Sequence, residues 1–301
     1  MFDHVEAFHR PGSIPEALRL LRRGARGGRF VAGGTDVVVQ ADRSIRCLID
    51  ITQLGLDYIR RKGQGWVIGA TATMAAIENS SAMLALANGI LAKAASTCGS
   101  VQNRNMATLG GNLANASPAA DTATPLLALD ALVVLMGARG PVPSGTGRGR
   151  RKIPLVDFFL APGKTVLGGA LLVEVEIPRL PRGGRLGWSF QKLGRTEADI
   201  SVVNVAAGLQ LDRQGCCKWA RIALGAVGPR PLRARNAESL LLGQELNNSL
   251  LDRACDEVAR EVSPITDVRA SAEYRREMSR VLTRRALREC AEKAVATKNS
   301  G

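Results

Sequence analysis

Two glycine pairs that each lie near a threonine are the residues of this 301-residue sequence best suited to bind an anion. Gly33 and Gly34 precede Thr-Asp-Val, and Gly110 and Gly111 lie between Thr-Leu and Asn-Leu. Because glycine adopts φ > 0 and has no Cβ, consecutive backbone N–H groups can turn toward a phosphate that approaches the main chain closely. The two segments together predict a clamp on a pyrophosphate, with threonine hydroxyls as additional donors.

Neither glycine segment matches GxGxxG or GxxxxGK[ST], so the sequence favours neither a Rossmann nor a P-loop site. The second segment is the more specific one, because it continues as GGNLANASPAAD, in which two asparagines favour turn geometry. Gly-Gly-Thr alone is typical of a plain turn. Plain alternatives also exist for Asp36 and Asp121, as turn residues, and for Lys192, as a solvated surface lysine.

Histidine and cysteine chemistry has little support in the sequence. The two histidines are His4 and His9, so a His-dependent triad or a multi-histidine zinc site would have to be built from the first ten residues. The six cysteines form no CxxC pair and no iron–sulfur spacing. We therefore expect no metal site in this chain and reduced thiols, as in a cytoplasmic protein.

Hydropathy, net charge and aromatic content limit which partners and which cellular location we expect for this chain. The first residues lack the apolar core of a signal peptide, and no run approaches the roughly 18 apolar residues of a membrane span, which again indicates a cytoplasmic chain. Lys and Arg exceed Asp and Glu by 41 to 27, a net charge of +14. This charge is spread along the chain and aromatic residues are 4%, a poor composition for base stacking. We expect the charge to serve solubility or an acidic partner subunit, not nucleic acid.

Apolar periodicity predicts the elements that position the glycine segments. Ser13 and Glu16 have capping-box spacing and open a helix. Residues 137–152 are rich in Gly and Arg and predict an exposed loop, with a docking or anion-binding role as the less favoured alternative. Strands are predicted at 29–32, 37–39, 47–51, 66–70, 131–136, 171–177, 202–211 and 220–226, and further helices at 82–96, 249–262 and 267–294.

These elements predict a mixed α+β protein of two domains. Residues 1–178 form the first domain, with two α/β subdomains, and Pro181 to Gly184 marks the junction. Residues 184–294 form the second, an antiparallel sheet plus helices. Residues 295–301 are expected to be a flexible tail.

The sequence resembles the FAD-binding medium subunits of the molybdenum hydroxylases, and within that family those of bacterial three-subunit xanthine dehydrogenases. The resemblance covers nearly the whole chain, and its most specific block is TLGGNLANASPAADT. It also rests on AGGTDVVVQ, LLVEVEIP and DVRASAEYRREM. The resemblance implies an FAD-binding domain of the vanillyl-alcohol-oxidase/p-cresol-methylhydroxylase type, followed by a domain like the C-terminal domain of CO dehydrogenase flavoproteins.

The resemblance also implies the cofactor contacts. In the family the two glycine segments wrap the FAD pyrophosphate, Asp121 and Val173 contact the flavin, and the ammonium of Lys192 would stabilise the negative charge of reduced flavin. An aromatic residue of some relatives falls on Cys98 here, so ring stacking is not expected at that position. The implied cofactor-binding residues are Phe30, Val31, Ala32, Gly33, Gly34, Thr35, Asp36, Val37, Thr108, Leu109, Gly110, Gly111, Asn112, Asp121, Val173 and Lys192.

Two further regions of the family map onto the second half of the chain. Residues 195–199 match a region near which the nicotinamide docks in relatives that reduce a dinucleotide. Residues 267–278 match the C-terminal domain, where we expect packing and subunit contacts at Tyr274, Arg275 and Arg276 rather than chemistry.

The function implied is electron transfer by an oxidoreductase subunit that is inactive on the substrate alone. A [2Fe–2S] subunit would supply electrons from a molybdopterin subunit, and FAD would pass them to NAD, in a dimer of heterotrimers. Because the flavin supplies the chemistry, no catalytic acid or base is expected from this chain. One alternative is the FAD subunit of a carbon monoxide, nicotinate or aldehyde dehydrogenase complex with another acceptor. A second, from another class, is a non-enzymatic basic binding protein.

Overall fold

Local sequence signals start the elements of the N-terminal half. In α1 the Ser13 hydroxyl accepts a hydrogen bond from the Glu16 amide at 3.4 Å, as the capping box predicts. The computed structural model describes residues 4–24, 27–137, 149–181 and 184–296. The elements up to residue 177 are, in chain order, β1 (Ala7–His9), α1 (Ile14–Arg23), β2 (Gly28–Val31), α2 (Val37–Gln40), β3 (Cys47–Asp50), β4 (Ile59–Lys62), β5 (Gly65–Gly69), α3 (Met74–Glu78), α4 (Ser81–Ala85), α5 (Ile90–Ser96), α6 (Val101–Met106), α7 (Leu109–Ala114), α8 (Ala123–Ala128), β6 (Leu132–Met136), β7 (Arg150–Pro154), β8 (Phe159–Ala161), β9 (Lys164–Thr165) and β10 (Leu171–Ile177).

Two sheets frame the first glycine segment. A parallel sheet has the strand order β1-β3-β2, and Gly33 and Gly34 follow the carboxyl end of β2. An antiparallel sheet has the order β4-β5-β10-β6-β7, with β10 at its centre. The register against β6 shifts between Leu172 and Glu174, so Val173 is the additional residue of a β-bulge. Helices α3 to α8 connect β5 to β6 and carry the second glycine segment.

The C-terminal part consists of a four-stranded antiparallel sheet and helices. One face of this sheet, including Trp188, Phe190 and Ala206, shares a buried core with the helices that follow β5. The opposite face packs on the long helices through residues such as Val205 and Leu282. The elements are β11 (Arg185–Leu193), β12 (Val203–Leu211), β13 (Cys217–Gly225), β14 (Leu232–Arg233), α9 (Arg235–Leu241), α10 (Asn248–Glu261) and α11 (Ala272–Ala296).

The α+β class is confirmed, and several predicted elements lie where expected. The strands at 47–51, 66–70, 131–136, 171–177 and 202–211 correspond to β3, β5, β6, β10 and β12, and the helix at 249–262 to α10. All six cysteines are free thiols. Within the described ranges, no helix is long and apolar enough to cross a membrane. The domain boundaries at 178 and 184 stay predictions.

Three predicted elements are wrong in type or extent. Residues 37–39 are helical, because the Val38 amide donates to the Gly34 carbonyl at 2.8 Å and no strand pairs with them. Residues 82–96 form α4 and α5 with a kink between them, where Asn88 has φ +53° and accepts the Trp188 amide. The last helix starts at Ala272 rather than 267, because the preceding turn is held by Asp267.

The remaining predictions concern chain ends and loops. Residues 150–152 of the predicted basic loop belong to β7, and residues 138–148 lie outside the described ranges. Residues 295–296 of the predicted tail belong to α11, and the rest of it lies outside the described ranges, as do residues 182–183 of the predicted junction.

Arg275 ties the last helix to the sheet from a fully buried position. Its Nη1 donates to the carbonyls of Val202 and Ala226 at 2.6 and 3.2 Å, and its Nη2 pairs with Asp267 at 2.7 Å. Tyr274 and Arg276, by contrast, are exposed. Packing is therefore the role of Arg275, as the sequence predicts.

We expect Arg275→Met to destabilise the protein by roughly 3 kcal/mol, because it leaves the buried carbonyls of Val202 and Ala226 without this donor and removes one of the two arginines that pair with Asp267. The midpoint of urea unfolding measures this. The neighbouring exposed Arg276→Met is the matched control and should change stability by no more than about 0.5 kcal/mol. Equal midpoints for the two variants would contradict the role of Arg275.

Candidate functional site

The first glycine segment presents a row of unpaired backbone amides. Among the described residues, the N–H groups of Gly33, Gly34, Thr35 and Asp36 have no hydrogen-bond acceptor. Gly34 has φ +70°, the left-handed conformation that turns successive amides to one side. Unpaired amides in a row bind anions, so these residues fit a phosphate or diphosphate group.

The second glycine segment is built differently from its prediction as an anion-binding turn. It is the first turn of α7, and neither Gly110 nor Gly111 has a positive φ. Its amides are already paired: Gly110 donates to the Ala70 carbonyl at 2.8 Å and Gly111 to the Thr108 hydroxyl at 3.2 Å. Glycine is needed at 110 because a Cβ there would lie 2.7 Å from Ala70. The expectation of two equivalent amide clamps is therefore wrong.

A backbone contact brings the two segments together. A Cβ on Gly33 would overlap the carbonyl of Met106, so only glycine permits this approach. Two side-chain hydrogen bonds lie alongside it: Asn115 Nδ2 donates to Asp36 at 2.9 Å, and Gln40 Nε2 donates to Asn115 Oδ1 at 2.8 Å. Burial raises the pKa of Asp36.

A cleft opens between these two segments. Asn112 lines it, and the Asn112 amide oxygen accepts the Thr122 hydroxyl at 2.6 Å, which leaves the amide nitrogen as a donor. The lining residues are 29–37, Gln40, Ala107, Thr108, Gly111, Asn112, Ala114 and Asn115. All the residues from Phe30 to Val37 that the sequence predicts therefore line this cleft, together with the predicted residues Thr108, Gly111 and Asn112.

A second cleft of about 500 Å³, with mostly aliphatic walls, adjoins the first; the two share Arg29, Phe30, Ala32, Gly111 and Ala114. Its walls include Ile51, Leu160, Leu167, Leu171 and Leu172. A polar cradle beside an apolar cleft fits a ligand with both a phosphate group and an aromatic ring.

Asp121 and Lys192 lie together in a buried cluster that lines neither cleft. The Lys192 ammonium pairs with Asp121 at 2.8 Å and donates to the Thr97 carbonyl at 2.7 Å. The other carboxylate oxygen accepts from Ser201 at 2.5 Å and Asn204 at 2.8 Å. Burial raises the pKa of Asp121, and these partners oppose that rise. Lys192 is thus a paired, buried lysine and not a solvated one.

Hydrogen bonds connect this cluster to the glycine cleft. Thr122 follows Asp121 in the chain and donates to Asn112, which lines the cleft. The segment that carries Asp121 is also held at Pro118, whose carbonyl accepts the Ala226 amide at 2.7 Å. Arg275 in turn binds the Ala226 carbonyl, so the C-terminal sheet helps to position Asp121.

Besides Asp121 and Lys192, three further predicted residues do not line the glycine cleft. Leu109 is fully buried in the core. Gly110 faces the apolar cleft. Val173 is buried beside Ile51 and Leu171, and its carbonyl already accepts the Ala70 amide at 2.9 Å. Cys98 lies near Asp121, and burial raises the pKa of its thiol to about 12.

The sequence analysis missed several residues that build the site. Ala114 and Asn115 follow Gly111 by one turn of α7, so helical spacing was the signal for them. Thr97, Ser201 and Asn204 reach Asp121 only through tertiary packing and carry no local signal. Within the described ranges, no group of three or more His, Cys, Asp or Glu side chains could hold a metal ion.

Two family models match successive parts of the chain. Residues 2–180 match the FAD binding domain in molybdopterin dehydrogenase, and residues 188–290 match the CO dehydrogenase flavoprotein C-terminal domain. The chain belongs to the FAD-binding medium subunits of the molybdenum hydroxylases. The two-domain flavoprotein architecture expected from the resemblance is confirmed.

Individual relatives of this medium subunit cover almost its whole length. The alpha subunit of the 6-hydroxypseudooxynicotine dehydrogenase complex of Paenarthrobacter nicotinovorans is 33% identical over 99% of this chain and 97% of its own. The xanthine dehydrogenase FAD-binding subunit of Escherichia coli O157:H7 is 32% identical over 96% and 97%. A carbon monoxide dehydrogenase structure from Hydrogenophaga pseudoflava superimposes with a TM-score of 0.87 at 29% identity, covering 96% and 98%.

We expect Gly33→Ala in this medium subunit to reduce the FAD retained after gel filtration at least tenfold, because the new methyl group forces the two segments apart. Absorbance of the purified protein measures the FAD-to-protein ratio. Gly12→Ala is the matched control, since a Cβ there meets nothing within 4 Å. A Gly33→Ala protein that retains as much FAD as the control would show that the contact is dispensable.

Proposed function

We propose that this chain holds FAD with its diphosphate on the amides of residues 33–36 and transfers electrons within a molybdenum hydroxylase complex. The observation that carries this proposal is the row of four unpaired amides beside an apolar cleft. The FAD-binding domain match over residues 2–180 supports the choice of ligand.

FAD, when bound, supplies the redox chemistry that accepts electrons one at a time and donates them in pairs. The residues of this chain bind, orient and set the electrostatics. Thr108 and Asn112 extend the polar cradle at the second segment, and the aliphatic walls of the second cleft would pack against a ring system. Asn115 donates a hydrogen bond to the Asp36 carboxylate, and this bond holds the side chain beside the proposed anion site.

Lys192 and Asp121 are proposed to act on the flavin as a charge pair. Because they lie 2.8 Å apart, their charges largely cancel at a distance and their field is that of a dipole. Removing the charge of Asp121 therefore makes the local charge more positive, whereas removing the charge of Lys192 makes it more negative.

The proposed complex resembles xanthine dehydrogenase. A molybdenum-cofactor subunit would oxidise the substrate, a [2Fe–2S] subunit would relay electrons, and NAD would accept them near residues 195–199. Arg195 and Asp199 form an exposed ion pair of 3.0 Å there. We propose a dimer of heterotrimers in the cytoplasm, in keeping with six free thiols.

The carbon monoxide and nicotinate alternatives are supported by relatives whose sequence identity is about the same as that of the xanthine dehydrogenase subunit. Medium chains of two carbon monoxide dehydrogenases are 30% and 32% identical, and the FAD subunit of a nicotinate dehydrogenase is 32% identical. Purification of the intact complex, followed by assays with xanthine, carbon monoxide and nicotinate and with NAD as acceptor, tests the choice. Oxidation of xanthine with NAD reduction is expected; turnover of another of these substrates alone would replace xanthine by that substrate.

We expect Gly111→Val to abolish FAD retention, because Gly111 lines both clefts and a branched side chain would occupy the space of the ligand. Gly111→Ala should retain an intermediate amount. Equilibrium dialysis against FAD measures both variants. Wild-type FAD binding by Gly111→Val would place the cofactor outside this cleft.

Asp121→Asn is expected to raise the flavin reduction potential and Lys192→Met to lower it, because each removes one charge of the pair. A shift of about 30 mV corresponds to a tenfold change in the two-electron equilibrium. Redox titration followed by flavin absorbance gives both values. Shifts of the same sign, or none, would show that the pair has only a structural role.

A further inference from the structure

The buried carboxylate of Asp121 receives two of its hydrogen bonds from the start of β12 in the C-terminal part. One carboxylate oxygen accepts the Ser201 hydroxyl at 2.5 Å and the Asn204 amide nitrogen at 2.8 Å, and the other accepts the Lys192 ammonium at 2.8 Å. Ser201 and Asn204, the β12 donors, are fully buried, and Asp121 is 6% exposed. Water has little access to this carboxylate, so the protein itself must supply the hydrogen bonds.

The surroundings of Asn204 fix the orientation of its amide. An ionised carboxylate only accepts hydrogen bonds, so Asn204 Nδ2 faces Asp121, and Asn204 Oδ1 faces the Thr124 hydroxyl, which donates to it at 2.5 Å. A Cβ on Gly225 would overlap Asn204 Oδ1, so the side chain is confined from that side as well. Asn204 is therefore preorganised to donate to Asp121.

Titratable groups face Asp121 from two directions. The Lys192 ammonium reaches it from β11, and the Cys98 thiol lies near it after α5, with the ion pair of Arg104 and Glu78 beyond the thiol. Burial favours the neutral form of the Asp121 carboxyl, whereas Lys192 and the β12 donors favour its ionised form. The ion pair of Asp121 and Lys192 therefore depends on the β12 donors as well as on its own attraction.

We propose that Ser201 and Asn204 are positioning residues that keep Asp121 ionised at neutral pH and so keep the charge of Lys192 compensated. Without these donors Asp121 binds a proton more readily, and the pair then carries a net positive charge. This effect concerns the chain alone, but its consequence for the flavin rests on the proposed function. A net positive charge beside the flavin stabilises the reduced, anionic form and raises the reduction potential.

Infrared titration of the full-length protein tests the effect on Asp121 without using the flavin. A carbonyl stretch of a protonated carboxyl group that disappears when Asp121→Asn is introduced reports the protonation of Asp121. We expect Ser201→Ala to raise the pH midpoint of this band by about one unit, a tenfold gain in proton affinity, because one hydrogen bond to a charged group is lost. Asn204→Leu should shift the midpoint in the same direction. An unchanged midpoint in whichever of these variants folds would overturn the proposal.

Ser189→Ala is the matched control. Ser189 is also fully buried, and its hydroxyl donates to the Glu289 carboxylate at 2.6 Å. This variant removes the same kind of hydrogen bond elsewhere in the C-terminal sheet, so the midpoint of the Asp121 band should stay at its wild-type value. An equal shift in Ser189→Ala and Ser201→Ala would overturn the proposal, because a general disturbance of the sheet would then explain both.

Redox titration of the FAD-containing protein tests the consequence for the flavin. At pH values between the wild-type and variant midpoints, Ser201→Ala should have a higher flavin potential than the wild type, and above both midpoints the two potentials should agree. In a chain that already carries Asp121→Asn, adding Ser201→Ala should no longer change the potential. A shifted infrared midpoint with an unchanged potential would overturn the flavin part of the proposal. Failure of the wild type to bind FAD would instead overturn the proposed function and leave the infrared result standing.

Discussion

The close contact between Gly33 and the backbone of Met106 is the constraint on which the rest of the site depends. It requires a residue without a Cβ, and it places the segment after β2 against the segment that leads into α7. Because the turn at Gly34 then has no partner strand or helix, the amides of residues 33–36 remain unpaired at the edge of the cleft. The polar cradle is thus a consequence of packing between two distant parts of the chain.

The C-terminal sheet supports this site through contacts to Asp121, which does not line the glycine cleft. Ser201 and Asn204, at the start of β12, bind the Asp121 carboxylate, and Arg275 holds the start of β12 and the end of β13. The cofactor-binding part and the C-terminal part therefore share one buried core and one polar network. This explains why a medium subunit carries a C-terminal domain that holds none of the glycine cradle.

Glycine and threonine spacing predicted a tight turn in the first segment, because the positive φ of Gly34 is a local requirement, whereas the contact of Gly33 with Met106 is not local. The same reasoning misassigned the second segment, since Gly110 is selected by contact with Ala70 and not by a positive φ. Val37 to Val39 have strong strand propensity, but no neighbouring strand is available, so a helical turn forms instead. Contacts such as Ser201 with Asp121 join residues 80 positions apart and leave no local pattern.

Amide hydrogen exchange with and without FAD tests the central claim most directly. Amides of residues 33–36 exchange freely without the cofactor if they are unpaired, and FAD should slow them strongly, whereas the paired amides of Gly110 and Gly111 should change little. Stoichiometric FAD binding with no slowing at residues 33–36 would contradict the account, because the diphosphate would then be held by other groups.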